Sequence, residues 1–302
     1  MLDIRRLRLL RELAHRGTIA AVAEALSYTP SAVSQQLAAL EREAGRPLLT
    51  RTGRRVSLTP AGAVLVEHTE AILADLERAE SALAASDAGL SGSVRLGAFP
   101  TALQALVLPA LLEIGRAEPE LEVTVTEADP ADAPDRLRGG RLDLALVHEY
   151  DNVPTAVGSG IELEPLLDEI VYLASAATPD SPGVAGIRDH SGSRWILGNP
   201  GTLCHTMAVR TCQSQGFEPR VTHQVDDFAT VLRLVAAGAG VALVPQLGAI
   251  DSPAGVVLTP LPIGRRTRIA YRRGNRSQPA FAAVTDELHR AARHLHVTAH
   301  GS

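Results

Sequence analysis

The residues best suited to chemistry in this chain are short polar side chains at the starts of periodic segments, together with arginines grouped at one turn. Thr29, Pro30, Ser31, Ser34 and Gln35 fall within two helical turns and form a candidate DNA-contacting stretch, in which the hydroxyl and amide groups of Thr29, Ser31, Ser34 and Gln35 are of the kind that hydrogen-bond base edges. Arg51, Arg54 and Arg55 then bracket Gly53 in RTGRRVSLT, where glycine suits a hairpin tip and guanidinium groups suit phosphate or the minor groove. Taken alone these arginines would be ordinary solvated charges; their place beside a helix pair favours DNA contact. Farther on, Thr101 in FPTALQ and Thr202 in NPGTLC each stand where a strand gives way to a helix. Free backbone N–H groups and a positive dipole end at such points suit an anionic group, although a lone threonine there is usually only a cap.

Catalytic signatures are missing. There is no G-x-S-x-G elbow, no H-E-x-x-H and no Walker loop, and Gly238-Ala239-Gly240 follows a helix as a C-cap turn would. No enzyme activity, cofactor or metal is expected. Cys204 and Cys212 are the only cysteines, with a spacing poor for zinc. Eight residues apart on one helix, their backbones would stand about 12 Å apart. A disulfide needs Cα atoms within about 7 Å, so pairing would require local unwinding. Buried small side chains are the simpler reading.

These residues need elements to hold them. Ile19, Val22, Ala23 and Leu26 recur at helical spacing behind a Thr18 cap, and Thr29-Pro30 places a hydroxyl at an N-cap and a proline at the first helical position. The second helix would bury Val33, Leu37 and Leu40, turn its polar first turns outward, and end at Gly45 and Pro47. Two helices joined by so short a turn form a helix-turn-helix, the arrangement that seats a recognition helix in the major groove. Residues 59–88 read as one long helix on which Leu65, Thr69, Ile72, Leu76, Ala79 and Leu83 make a heptad seam. The expected partner of that seam is the same helix of a second subunit. After a Gly/Ser break, strands alternate with helices: VRLGAF, LEVTVTEA, LDLALVH, IVYLASA, RWIL, RVTHQV, GVALVP and RIAYRR. That alternation predicts a mostly parallel sheet covered on both faces.

Composition agrees with this division. A chain of 302 residues, 45% apolar and 21% charged, suits two soluble domains, and it has no apolar run long enough to span a bilayer and no signal-peptide core. A cytoplasmic protein without membrane contact is expected. The net charge of −5 is uneven: residues 1–58 carry ten Arg against five acidic residues, giving +5, which leaves −10 for the remainder. A basic head on an acidic body fits a nucleic-acid binder better than the total suggests.

The motifs LRELAHRGTIAAVAEAL, TPSAVSQQLAALE, GRPLLTR and LTPAG, in this order and spacing, resemble the winged helix-turn-helix domain of LysR-type transcriptional regulators. The family often has Gln and Arg where this chain has Pro30 and Gln35, so those base contacts do not carry over. The resemblance implies an α/β fold: a winged helix-turn-helix with a long linker helix, then a two-lobed periplasmic-binding-protein-like effector domain. On that reading residues 1–58 bind DNA, residues 59–88 dimerise and residues 93–302 bind effector. Lobe 1 would hold about 93–170 and 266–302, and lobe 2 about 171–265. Thr101 and Thr202 would face each other across the interlobe cleft, where the family binds small, often anionic effectors, with His148, Glu149, Val225, Asp226 and Phe228 completing the wall. The implied partners are double-stranded promoter DNA, a small-molecule effector and further copies of the chain as a dimer or dimer of dimers. Cys204 and Cys212 lie roughly where peroxide-sensing members keep their redox pair, which makes a redox sensor the alternative. The different-class alternative is a small-molecule carrier or enzyme with an incidental helix-turn-helix.

Overall fold

The computed structural model describes residues 1–52, 55–84, 92–154, 160–177, 186–273 and 278–299. It divides into two compact units, one formed by residues 1–88 with 272–278, the other by residues 89–271 and 279–302.

In the first unit, helices α1 (Ile4–Arg16), α2 (Ile19–Ala25) and α3 (Pro30–Ala44) precede a hairpin, β1 (Leu49–Thr52) and β2 (Arg55–Leu58), and a long helix, α4 (Pro60–Ala84). The expected punctuation is in place. Thr18 accepts from the Ala21 amide, Thr29 from the Ala32 amide, Pro30 opens α3, and Gly45 closes it in the left-handed region at φ 66°. Val33, Leu37 and Leu40 are fully withdrawn from water and pack with Leu7, Leu10, Leu13 and Val22. Burial of each such leucine contributes roughly 1.5–3 kcal/mol. The chain leaves α3 by a turn in which Glu41 Oε1 accepts from the amides of Leu48 and Leu49. Gly62 allows α4 to approach this turn, since a Cβ there would lie 2.2 Å from the Leu48 carbonyl oxygen.

Only part of the heptad seam faces outward. Leu65 packs against the winged-helix core, Thr69 is buried with its hydroxyl donating to the Leu65 carbonyl at 2.7 Å, and Leu73 is buried as well. Glu70 reaches His15 at 3.0 Å and Arg11 at 3.9 Å. The reason is local: α4 first docks on α1, so its early turns bury their apolar stripe within the unit. Leu65 and Thr69 are therefore corrected from seam to core. Ile72, 41% exposed, Leu76, 39% exposed, and Ala79 remain open on the helix surface, while the Leu83 side chain lies outside the described residues.

The second unit is built on a six-stranded sheet of order β4-β3-β5-β10-β6-β9, with a two-stranded sheet, β7-β8, beside it. In chain order these are β3 (Gly92–Ala98), β4 (Leu121–Glu127), β5 (Leu144–Tyr150), β6 (Ile161–Ala176), β7 (Arg194–Leu197), β8 (Arg220–Gln224), β9 (Ala242–Pro245) and β10 (Val256–Arg272). Helices α5 (Pro100–Ala102) and α6 (Leu108–Ala117) flank a π-helical turn, Leu103–Val107; α7 (Ala133–Arg138), α8 (Leu203–Ser214), α9 (Phe228–Ala236) and α10 (Pro279–Ala299) follow.

The pairing differs from the expected mostly parallel sheets. β3 runs parallel to β4 and β5, and β7 to β8, but β10 pairs antiparallel with β5 and β6 antiparallel with β9. The cause is that β6 and β10 are long strands serving both lobes. β10 pairs with β5 from Arg265 to Tyr271, whereas β6 pairs with β9 from Val171 to Ala174. A bridge between Trp195 and Val241 links the small sheet to the β9 end. Each lobe keeps separate cores on its two faces: Leu96, Leu106, Leu146 and Phe281 against Leu137 and Val147 in one, Leu173, Trp195 and Met207 against Ile196, Leu232 and Val244 in the other.

Candidate functional site

The α3 surface is polar where it is open. With Val33, Leu37 and Leu40 inward, helical spacing leaves Thr29, Pro30, Ser31 and Gln35 exposed and Ser34 half-buried. Thr29 is less available than its position implies, because its oxygen caps α3 and lies 3.0 Å from the Ser31 hydroxyl. In the adjoining hairpin Leu49 pairs with Leu58, Thr50 with Ser57, Arg51 with Val56 and Thr52 with Arg55. Arg54, and the side chains of Arg51 and Arg55, lie outside the described residues.

In the second unit a cavity of about 350 Å³ opens between the lobes. At its floor lies Arg265, held in a buried ion pair between the two long strands. Arg265, 1% exposed, donates through Nε and Nη2 to the two oxygens of Glu169, each at 2.8 Å. Glu169, 4% exposed, also accepts from the Leu247 amide at 2.9 Å and the Thr267 hydroxyl at 3.2 Å. Burial works against the guanidinium charge, but the Glu169 carboxylate beside it prevails and holds Arg265 protonated far above the physiological range. The Arg265 Cζ stands 5.0 Å from the centre of the Phe99 ring, a cation–π contact.

Thr101 and Thr202 both line this cavity. Thr101 is not a cap: Phe99 holds the N-cap position, and the Thr101 hydroxyl accepts from Arg265 Nη2 at 3.3 Å. Thr202 does cap α8, accepting from the His205 amide at 3.2 Å. Gly198 permits the approach behind it, since a Cβ there would meet Asp226 Oδ1 at 2.8 Å and Thr202 Oγ1 at 3.1 Å. Asp226 accepts from the Asn199 amide at 2.8 Å and from the Asn199 side chain. Val225, Asp226, Phe228 and His148 join the lining.

Glu149 does not. Along β5, Leu144, Leu146, His148 and Tyr150 share one face by the two-residue period, so Glu149 points to the other, where it pairs with Arg266 at 3.1 Å and Arg268 at 3.5 Å. Burial pushes the His148 imidazole well below its ordinary pKa, and the nearby Arg265 charge adds to this. The ring packs edge-on against Phe99 and Tyr150, and neither nitrogen has a hydrogen-bond partner among the described residues.

Cys204 lines the cavity and lies 3.1 Å from the Tyr150 hydroxyl. Burial raises its pKa, and Cys212, fully buried in the core behind it, is pushed up to about 12. A reactive thiol needs the opposite shift, toward the thiolate. Both cysteines remain on the intact α8, as their spacing predicted.

Sequence reasoning overlooked Arg265, Glu169, Tyr150 and Phe99. A signal existed for the first two. Leu167, Glu169, Val171 and Leu173 are in phase on β6, and Arg265, Thr267, Ile269 and Tyr271 on β10, so each charge falls on an otherwise inward face.

Residues 4–63 match the family described as "Bacterial regulatory helix-turn-helix protein, lysR family", and residues 87–293 match "LysR substrate binding domain". The chain is 31% identical over 261 residues to the nitrogen assimilation regulatory protein nac of Klebsiella aerogenes, covering 82% of this chain and 80% of that protein. It is 32% identical over 305 residues to a probable hydrogen peroxide-inducible genes activator of Streptomyces viridosporus, covering 94% and 96%. HinK, a LysR family transcriptional regulator from Pseudomonas aeruginosa, shares the fold at a TM-score of 0.57 with 20% identity, over 97% of this chain and 100% of that one. Among the described residues no helix is long and apolar enough to cross a membrane. The basic helix-turn-helix unit, the two-lobed α/β unit with its cleft and these relatives lead to one conclusion: the chain belongs to the LysR family of bacterial helix-turn-helix transcriptional regulators.

Proposed function

We propose that this regulator reads a pseudo-palindromic promoter site in the cytoplasm, with α3 in the major groove, and that a small molecule entering the interlobe cleft alters that binding. The observation that carries the first half is the α3 surface: its apolar residues are withdrawn, and Ser31, Ser34 and Gln35 are left to address base edges. Arg51, Arg54 and Arg55 would hold phosphates on either side. Ile72, Leu76 and Ala79 are the part of α4 left for a second subunit, and dimerisation there would set two recognition helices at a fixed separation. On this division residues 1–58 bind DNA, 59–88 dimerise and 93–302 receive the effector.

The cleft reading is supported by Arg265, Thr101, Thr202 and His148 converging on one cavity. Thiol sensing is disfavoured because both cysteines stay eight residues apart on the intact α8, too far to pair, and burial pushes both thiols up. Footprinting on the DNA upstream of the chain's own gene tests the whole reading. Two protected half-sites separated by a multiple of about one helical turn are expected, with the footprint changed by effector but not by peroxide. Binding no tighter than to unrelated DNA would overturn the regulator assignment for that site. A peroxide response lost in Cys204→Ser would replace the effector by a redox signal.

A further inference from the structure

The cleft is two-ended. Its lining carries Glu127, Asp129, Asp226, Asp227 and Asp251, while among the described residues Arg265 is its single arginine or lysine and is already neutralised by Glu169. A purely anionic effector would meet a surplus of like charge at the rim. The floor has the opposite need. The Arg265 guanidinium is committed to Glu169 and Thr101 through Nε and Nη2, which leaves Nη1 without a hydrogen-bond acceptor among the described residues, although the side chain lines the cavity. Beside it His148, only 6% exposed, keeps two buried nitrogens that find no partner among the described residues. Buried polar groups in folded proteins are almost always satisfied, so an unmatched donor on the Arg265 side chain that lines the cavity, next to an unmatched imidazole, points to something that enters it. The first amides of α8, at the wall residues Leu203 and Cys204, lack intrahelical acceptors and add donors at the same level.

The rim carboxylates come from both lobes. Asp129 follows β4 and uses Oδ1 to accept from the Ala131 amide; Asp226 follows β8 and uses its oxygens on Asn199. Each carboxylate has lone pairs to spare.

We infer that the effector is a zwitterion, its carboxylate on the floor at Arg265 Nη1 and the α8 amides, beside His148, and its protonated amine held at the rim by Asp129 and Asp226. This rests on the cleft being the effector site. A molecule bridging donors below and acceptors from two lobes above would draw the lobes together, since each lobe supplies one of the two aspartates.

The test is calorimetry on the full chain with three sets of probes at matched length. The first holds L-α-amino acids and ω-amino acids of two to six carbons, the second the corresponding 2-oxo and dicarboxylic acids, and the third the corresponding amines. A zwitterion should bind at least about tenfold more tightly than both of its truncated counterparts, equivalent to about 1.4 kcal/mol. Asp129→Asn combined with Asp226→Asn, both exposed rim positions, should erase the preference over the 2-oxo acid. An acid or an amine binding most tightly, or no binding from any set, would overturn the zwitterion assignment. A zwitterion whose affinity is unchanged in both the aspartate double variant and Thr202→Ala binds elsewhere, and that result overturns the cleft reading itself.

Discussion

Arg265 and Glu169 form a bidentate ion pair, two bonds of 2.8 Å each, between the two strands that run through both lobes of the effector unit. Glu169 also binds the Leu247 amide of the 3₁₀ turn Gln246–Ala249, so this carboxylate ties β10 and the segment after β9 to a single point beneath the cleft. A ligand that reaches Arg265 therefore acts on a group already joined to both lobes.

Removing one partner of this pair should cost far more than removing both. Glu169→Ala leaves a buried guanidinium uncompensated, with an expected loss of about 3–5 kcal/mol in the denaturant transition of the effector unit. Glu169→Leu with Arg265→Met should recover most of that stability while abolishing effector response. If the single and double variants lose equal stability, the pair is not the energetic unit described.

His148 should make stability sensitive to acid. Its folded pKa is depressed, so the unfolded chain takes up a proton at this site below about pH 6.5 while the folded chain resists it. Stability from this site is complete above that pH and falls as pH drops, by at most about 1.4 kcal/mol per unit. His148→Phe keeps the edge-on packing with Phe99 and Tyr150 and removes the titration. The difference in unfolding free energy between the two proteins should shift in favour of the variant from pH 7 to pH 5. Because His190 titrates in the same direction in both proteins, it cancels. A pH-independent difference would show that the His148 pKa is the same in the folded and the unfolded chain.

Gln35→Ala should relax sequence preference at one base position, with a loss of roughly 1–3 kcal/mol for the preferred base and little change elsewhere. Arg54→Ala with Arg55→Ala should instead weaken all sequences alike and reduce the log–log salt slope by about one per lost phosphate contact. Binding-site selection followed by a salt titration separates the two effects, and identical profiles for both variants would remove the distinction between reading helix and wing.

Leu76→Asp should break the self-association of the long helices. The residue is half exposed beside Ile72, and a charge there would face its own copy in a desolvated seam. Sedimentation at micromolar concentration should show a smaller species with unchanged helix content. A parental sedimentation coefficient would move the subunit contact away from α4.

Local chemistry was enough to read the first unit. Thr29-Pro30 and Gly45 delimit α3 because a cap, a proline and a left-handed glycine act within one turn, and Val33, Leu37 and Leu40 declare the buried face by spacing alone. Thr101 and Thr202 were likewise legible as helix openings, while their place on a common site followed only from the family resemblance. The Thr101 role was not: the sequence makes it resemble a cap, and only the arrival of Arg265 from a strand more than a hundred residues later gives its hydroxyl a partner. Glu149 was misplaced for want of the strand phase, which the packing of Leu144 and Leu146 into one core and of Ala145 and Val147 into another establishes. Leu65 and Thr69 belong to a regular heptad, yet docking of α4 on α1 assigns them to the core and leaves Ile72 and Leu76 outside. Periodicity identifies a face but not its partner, because helical and strand spacing are properties of one segment. The buried pair Arg265–Glu169 joins two strands that pass through both lobes, and that proximity exists only once the chain has crossed between the lobes and returned.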